Sequence, residues 1–244
     1  MSGVQSQTLT VDRQMKRYNI PRVAFVNKLD RMGANPWKAI AGMRDTLKLP
    51  ACPVQIPIGL DDTFEGVVDV ITREAVHFRG EKGTVVEKSA VPESLQEECE
   101  QRRKELIERL AEIDDEIGEL FLSEVEPTVD QIKAAIRRQT IARAFVPVFM
   151  GSAFKNKGVQ LLLDGVSDYL PAPTEVSNVA FDLSNNEVEV PLQCDSKAPL
   201  GNYYHHKRIS SITLFSGPCI QASGESLRST HILASLPGHF AEGR

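Results

Sequence analysis

The chain has 244 residues, with 28 Lys and Arg against 33 Asp and Glu and a formal net charge of −5. That length holds one large domain or two small ones, and the acidic balance excludes nucleic-acid backbone binding driven by bulk charge. With 41% hydrophobic and 25% charged residues the composition is that of a folded chain, and no apolar run approaches the ~20 residues of a membrane helix.

The N-terminus, MSGVQSQTLTVDRQ, has no apolar signal core and is expected to be neither a secretory nor a transit peptide. Residues 4–19 read as a helix with Leu9, Val11, Met15 and Tyr18 on one side, broken by Pro21. RVAFVN (22–27) is a short apolar run ended by polar residues, the pattern of a buried strand. Asn35-Pro36 opens a helix over 36–48, with Pro36 suited to the first turn. CPVQIPIG (52–59) alternates as a strand, and Pro57 places its end at a sheet edge. Segments 65–71, 74–78 and 83–88 read as short antiparallel strands, His77 being one of their residues.

Residues 92–122 read as one long helix with Leu95, Cys99, Leu106, Leu110 and Ile113 in a stripe. The window 93–126 carries thirteen acidic and four basic side chains, so Arg102-Arg103-Lys104 is expected to lie on a solvated face. Thr128 and Gln131 form a capping box for a helix over 129–143, with Ile132 and Ile136 inward. AFVPVFMGSA (144–153) is a second buried strand, and Gly158 starts a helix that ends at Pro171-Ala-Pro173, the pattern of an interdomain linker. Trp37 and Phe145 are expected in the core. The cysteines, Cys52, Cys99, Cys194 and Cys219, form no C-x-x-C pair, so neither a zinc ribbon nor a disulfide scaffold is indicated. Beyond residue 200 the composition shifts: four of the five histidines and seven serines fall there. His205 and His206 have no Cys or carboxylate at ligand spacing, so no metal site is expected of them.

Strands separated by helices predict an α/β fold with a parallel sheet, interrupted by an α+β insertion at 61–143. Ligands of such sheets bind beyond the carboxyl ends of the strands. There stands Asn27-Lys28-Leu29-Asp30. A carboxylate only accepts hydrogen bonds, and guanine offers two adjacent donors, its N1–H and its 2-amino group. Asp30 can take both, whereas adenine would set a lone pair against it. Asn27 suits the N7 edge of the ring and can tie neighbouring loops together. The stem of Lys28 can lie over the base plane. Three fixed residues recur by chance in roughly a few per cent of chains of this length, and then mark only a polar turn. A second element raises the odds: Gly151-Ser152-Ala153-Phe154-Lys155 also follows a buried strand and precedes a helix. Its small residues would let a backbone N–H approach the guanine 6-oxo group, and the Ser152 hydroxyl could hold the Asp30 loop.

The segments GVQSQT, FVNKLDRMGANP, IPIG and PVFMGSAFKNKGVQ together resemble elongation factor G, the ribosomal translocase GTPase, and RQMKRYN and QIPIGL resemble its mitochondrial branch. The resemblance covers residues 3–173 well and 174–200 weakly. It implies a partial P-loop-type G domain over 1–60 and 144–172 and an inserted subdomain over 61–143 that touches the ribosomal stalk protein. It implies the start of a β-barrel domain over 173–200. The tail at 201–244 departs from the family and is expected to be disordered. Asn27, Lys28, Leu29 and Asp30, with Ser152, Ala153 and Phe154, would be the base-binding set. The ligand would be GTP or GDP, held weakly; Mg²⁺ would belong only to the full-length family protein. The ribosome would be the partner, with no membrane and no sequence-specific nucleic acid, and the location mitochondrial, or cytoplasmic if the product is not imported.

No G-x-x-x-x-G-K-[ST] occurs in these residues. Gly80-Glu-Lys-Gly83-Thr84 has the wrong spacing, and Pro237-Gly238-His239 lacks the leading Asp of the family's second switch. Phosphoryl transfer depends on those phosphate-holding groups, so no catalytic residue is assigned. The chain resembles a factor starting partway through its G domain, with Val23, Phe25 and Val26 expected on an open apolar edge and the insertion expected to fold semi-independently. A non-enzymatic stalk-binding module and a non-functional product are the competing readings.

Overall fold

The computed structural model describes residues 3–80 and 83–176, and the backbone of three further strands over 178–182, 188–192 and 232–233. Two compact units meet at the Leu170–Pro171 bond, where the linker was expected.

In the first unit, helix α1 (Ser6–Arg17) leads into β1 (Ala24–Val26), α2 (Pro36–Leu47) and β2 (Ala51–Pro53). Then come β3 (Gln55–Ile58), β4 (Gly66–Asp69), β5 (Glu74–Arg79) and β6 (Val85–Ala90). Helices α3 (Glu93–Ala111), α4 (Asp115–Leu122) and α5 (Val129–Ile141) follow, then β7 (Val146–Met150) and α6 (Val159–Tyr169). A parallel sheet has the order β1-β7-β2 and an antiparallel one the order β3-β4-β5-β6. The α/β class read from the sequence is the class observed.

The strand expected over 52–59 serves both sheets. Its β2 half pairs with β7 and its β3 half with β4. Val54 is the crossing point: its N–H donates to Val148 O at 3.1 Å, in the parallel sheet, and its carbonyl accepts from Val70 N at 3.0 Å, beside the antiparallel one. The second sheet therefore begins at Gln55, ahead of the boundary at 61.

One core lies across this crossing. Cys52, Phe149 and Tyr169 of the first layer pack with Val68, Ala75, Cys99, Leu106, Leu110, Ile132 and Ile136 of the insertion. The insertion's helices and its own sheet share this apolar interior with the parallel sheet. Phe145 is buried and Trp37 half-buried against the same core.

Three expectations are corrected. The helix over 92–122 is two helices, since Asp114 caps α4: its carboxylate accepts from Ile117 N at 3.3 Å and pairs with Arg138 at 2.8 Å. The run Arg102-Arg103-Lys104 is not one solvated face. Arg103 is buried, donating to Val70 O and Ile71 O at 3.2 and 2.6 Å, while Arg102 stacks over Trp37 at 4.0 Å. Only Lys104 stands in water. In α1, Val11 and Tyr18 are exposed and the inward row is Leu9, Asp12 and Met15, spaced at i, i+3 and i+6. Asp12 is tolerated inside because Arg22 and Lys16 both pair with it.

Among the described residues β1 is the edge of the parallel sheet, but Val26 is buried and Val23 and Phe25 pack partly against the core. The open edge is thus one of backbone groups rather than of bare apolar side chains. In the second unit β8 (Asn178–Asp182) and β9 (Val188–Leu192) form an antiparallel hairpin, and β10 (Ile232–Leu233) pairs with β8. The expected disorder of 201–244 otherwise lies outside the described residues, as do Cys194, Cys219, His205, His206 and Pro237 to His239. No helix among the described residues is long and apolar enough to cross a membrane.

The Asp114 knot gives a pH dependence. The hydrogen bond from Arg138 holds the Asp114 carboxyl below the usual carboxylate range, helped by Gln139 and Ile117 N. A depressed folded pKa adds stability that is present above the unfolded value, near 4, and is lost as pH falls through the folded value. Urea melts across pH 2–6 are expected to show Asp114→Asn flattening that acid limb; an unchanged limb removes Asp114 from the account.

Candidate base-binding site

Parallel pairing places the site. Val26 stands opposite Met150 in the β1–β7 register, so both strands end at one level and their loops leave side by side. The loops are then tied. Gly151 N donates to Val26 O at 3.0 Å, and Leu29 N donates to Gly151 O at 3.2 Å. Asn27 Oδ1 accepts from Lys28 N at 2.7 Å and from Ala153 N at 2.9 Å, which is the tie between loops expected of that residue. Gly151 cannot be replaced here: a Cβ would strike Lys157 O and the Phe25 ring.

The Ser152 turn is closed by paired backbone bonds to Lys157, at 2.8 and 3.0 Å, and by Lys155 N donating to Ser152 Oγ at 3.3 Å. Ser152 is fully buried. Its hydroxyl is the main reason that the Asp30 carboxyl lies below its ordinary range, ahead of the opposing cost of burial; the Asp30 backbone N–H, Lys155 and Arg31 also lower it. The group is therefore an anion at neutral pH. Asp30 is 9% exposed, and its Oδ1 is buried without a hydrogen-bond partner. A buried acceptor without a donor is costly unless something supplies one. This fits the guanine edge, which brings two donors.

The remaining residues of the predicted set take different places. Leu29 is fully buried in a core cluster with Val26, Phe64 and Met150, so it anchors the loop rather than facing a ligand. Lys28 is exposed with φ 65°, the left-handed conformation that turns the chain between Asn27 and Leu29. Ala153 is exposed and its N–H is engaged by Asn27, so a 6-oxo group must share or displace that bond. Phe154 is 86% exposed and Met32 is 92% exposed.

Sequence reasoning missed two supports. Gln55, 1% exposed, accepts from Met150 N at 2.9 Å through its Oε1 and fixes the end of β7. Asp61 donates its N–H to Leu29 O at 2.8 Å. Neither carries a motif; alternation in 52–59 pointed only to a strand. Among the described residues no three His, Cys, Asp or Glu side chains gather to hold a metal ion.

Paired strand-to-helix loops at the carboxyl edge of a parallel sheet, with a buried carboxylate on one and a buried hydroxyl on the other, stand where open α/β domains bind their ligands. Comparison gives the family. The family described as "Elongation factor Tu GTP binding domain" matches residues 1–172, so the chain belongs to it. By family it is a GTP-binding domain of the elongation factor type. A crystal structure of a protein from Thermus thermophilus is similar, with a TM-score of 0.65 and 26% sequence identity over 74% of this chain. That match covers 27% of the other chain, so this chain spans roughly a quarter of that relative's length.

Proposed function

We propose that these residues are the guanine-reading half of an elongation factor of the G type, serving ribosomal translocation in mitochondrial protein synthesis. The observation that carries the base assignment is the unpartnered, buried Oδ1 of Asp30 beside the buried hydroxyl of Ser152. The G-type and mitochondrial assignments rest on the segments quoted above. In this reading Asp30 accepts from N1–H and the 2-amino group, and Asn27 fixes the two loops at one spacing. The 244 residues contain no G-x-x-x-x-G-K-[ST] loop, so in this reading the base supplies the recognition and affinity stays low.

The expected result with the 244-residue polypeptide is no hydrolysis of GTP above buffer, and a GDP dissociation constant weaker than micromolar. Phosphate release measured alongside a calorimetric titration checks both. Stoichiometric turnover abolished by Asp30→Ala would falsify the inactive reading, and submicromolar GDP binding would show a phosphate site that the sequence does not reveal.

A stalk-binding role for 61–143 has its own support. Phe121, Leu122 and Val125 are exposed at 45%, 84% and 52%, at the end of an acidic helix pair. Apolar groups ringed by charge suit a protein partner. Because the core is shared, the whole chain is the bait: retention of a ribosomal stalk protein, lost in Leu122→Asp, supports this role, and no retention by the wild type removes it.

A further inference from the structure

The turn from Gly59 to Glu65 joins β3 to β4 within the antiparallel sheet and reaches both base-binding loops. Asp61 begins a single 3-10 turn (Asp61–Thr63) with φ 57°, left-handed, a conformation that aspartate and asparagine tolerate better than most side chains. From there its N–H donates to Leu29 O at 2.8 Å, and its Oδ1 accepts from Ala34 N at 3.1 Å, a proton shared with Arg31 O at 3.0 Å. One residue thus grips the Asp30 loop on both sides of Asp30. Three residues on, Phe64 O accepts from Lys157 Nζ at 2.8 Å, which holds the Ser152 loop against the same turn. The β5–β6 connection also reaches the Ser152 loop and the helix after it. Gly83 O accepts from Gln160 Nε2 at 3.0 Å, and a Cβ on Gly83 would lie 2.9 Å from Asn156 O and 3.0 Å from Lys155 O.

We propose that Asp61 is a positioning residue for base selection: it sets where the Asp30 carboxylate stands, and through it the insertion's turn governs how well the 2-amino group is read. The proposal rests on the base-reading assignment above. Leu29 is the lever, because its N–H is held by Gly151 and its carbonyl by Asp61, which leaves Asp30 one bond from two fixed points. Removing the Asp61 carboxylate leaves its N–H on Leu29 O but frees the loop at Ala34, on the far side of Asp30, and a carboxylate that wanders loses the weaker, second contact first.

The probes are GDP and inosine 5′-diphosphate, which lacks only the 2-amino group, titrated into the whole chain and followed by NMR. Wild type is expected to prefer GDP by roughly tenfold to a hundredfold, the value of one charge-assisted hydrogen bond. Asp61→Gly keeps the left-handed backbone and removes the acceptor; its preference is expected to fall at least about threefold with a thermal midpoint near wild type. Asp61→Asn keeps both features and should restore the preference. An Asp61→Gly chain that folds and discriminates as wild type does overturns the clamp alone. A wild type that binds both probes equally sinks the base reading, and the clamp with it. If the glycine variant does not fold, the wild-type amides of Asp61 and Ala34 decide: shifts that are larger with GDP than with the inosine probe support the clamp, and shifts equal for both refute it.

Discussion

Asp30→Asn is expected to move the chain's preference from guanine to xanthine nucleotides. Asparagine keeps one acceptor for N1–H but turns its second group into a donor. Guanine then meets donor against donor at its 2-amino position, while xanthine presents a 2-oxo group that the new amide satisfies. Sites built around buried polar groups reject such mismatches by factors of about 10² and upward. The starting point favours a large effect: Asp30 Oδ1 has no partner within the protein, so the base supplies whatever it gains. Ser152 already holds the carboxyl as an anion, and removing that charge also loosens the Ser152 contact. Competition between GDP and xanthosine diphosphate in one sample, wild type against variant, reads the switch without depending on absolute affinity. Retention of the guanine preference by the variant would place base recognition elsewhere.

Leu106→Ala is expected to destabilise the first unit by about 2–5 kcal/mol, the range for emptying a fully buried leucine site. Leu106 is 0% exposed and sits in the cluster that also contains Cys52, Phe149 and Tyr169. Because the interior is continuous, the loss should be felt in β7 as well as in α3. Native-state hydrogen exchange checks this: amides of Val146–Met150 should speed up together with those of α3. Faster exchange confined to the insertion would mean two cores, and the layer-spanning description would be wrong.

Sequence and structure agree at some residues and part at others, for physical reasons. Period and flanking punctuation located β1 and β7, because buried parallel strands read as short apolar runs and both end in polar or small residues. The two loops were legible for the same reason, since they follow those runs directly. Arg103 was misread because charge pattern reports the neighbours on a helix and not what lies across from it; two carbonyls at the end of β4 call for donors that no local pattern records. Asp12 escaped for a similar cause, its partner Arg22 lying ten residues away beyond a proline. Asp61 was invisible because its role comes from a backbone angle and a distant carbonyl, and an Asp-Asp-Thr turn looks the same whether or not it grips anything. That the insertion's interior runs on into the parallel sheet was not legible either, because sequence marks where helices begin but not whose apolar surface they cover.

Val54 gives the chain a hinge pin with no slack. Side chains alternate along an extended strand, so adding or deleting a single residue between Ala51 and Ile58 inverts one sheet's faces relative to the other's. Length changes are therefore forbidden along this seam and permitted in the exposed connection from Ser123 to Glu126, which follows the end of α4. Any natural or engineered spacer that enlarges the insertion has to enter through such surface connections, leaving the rail that carries both layers at a fixed number of residues.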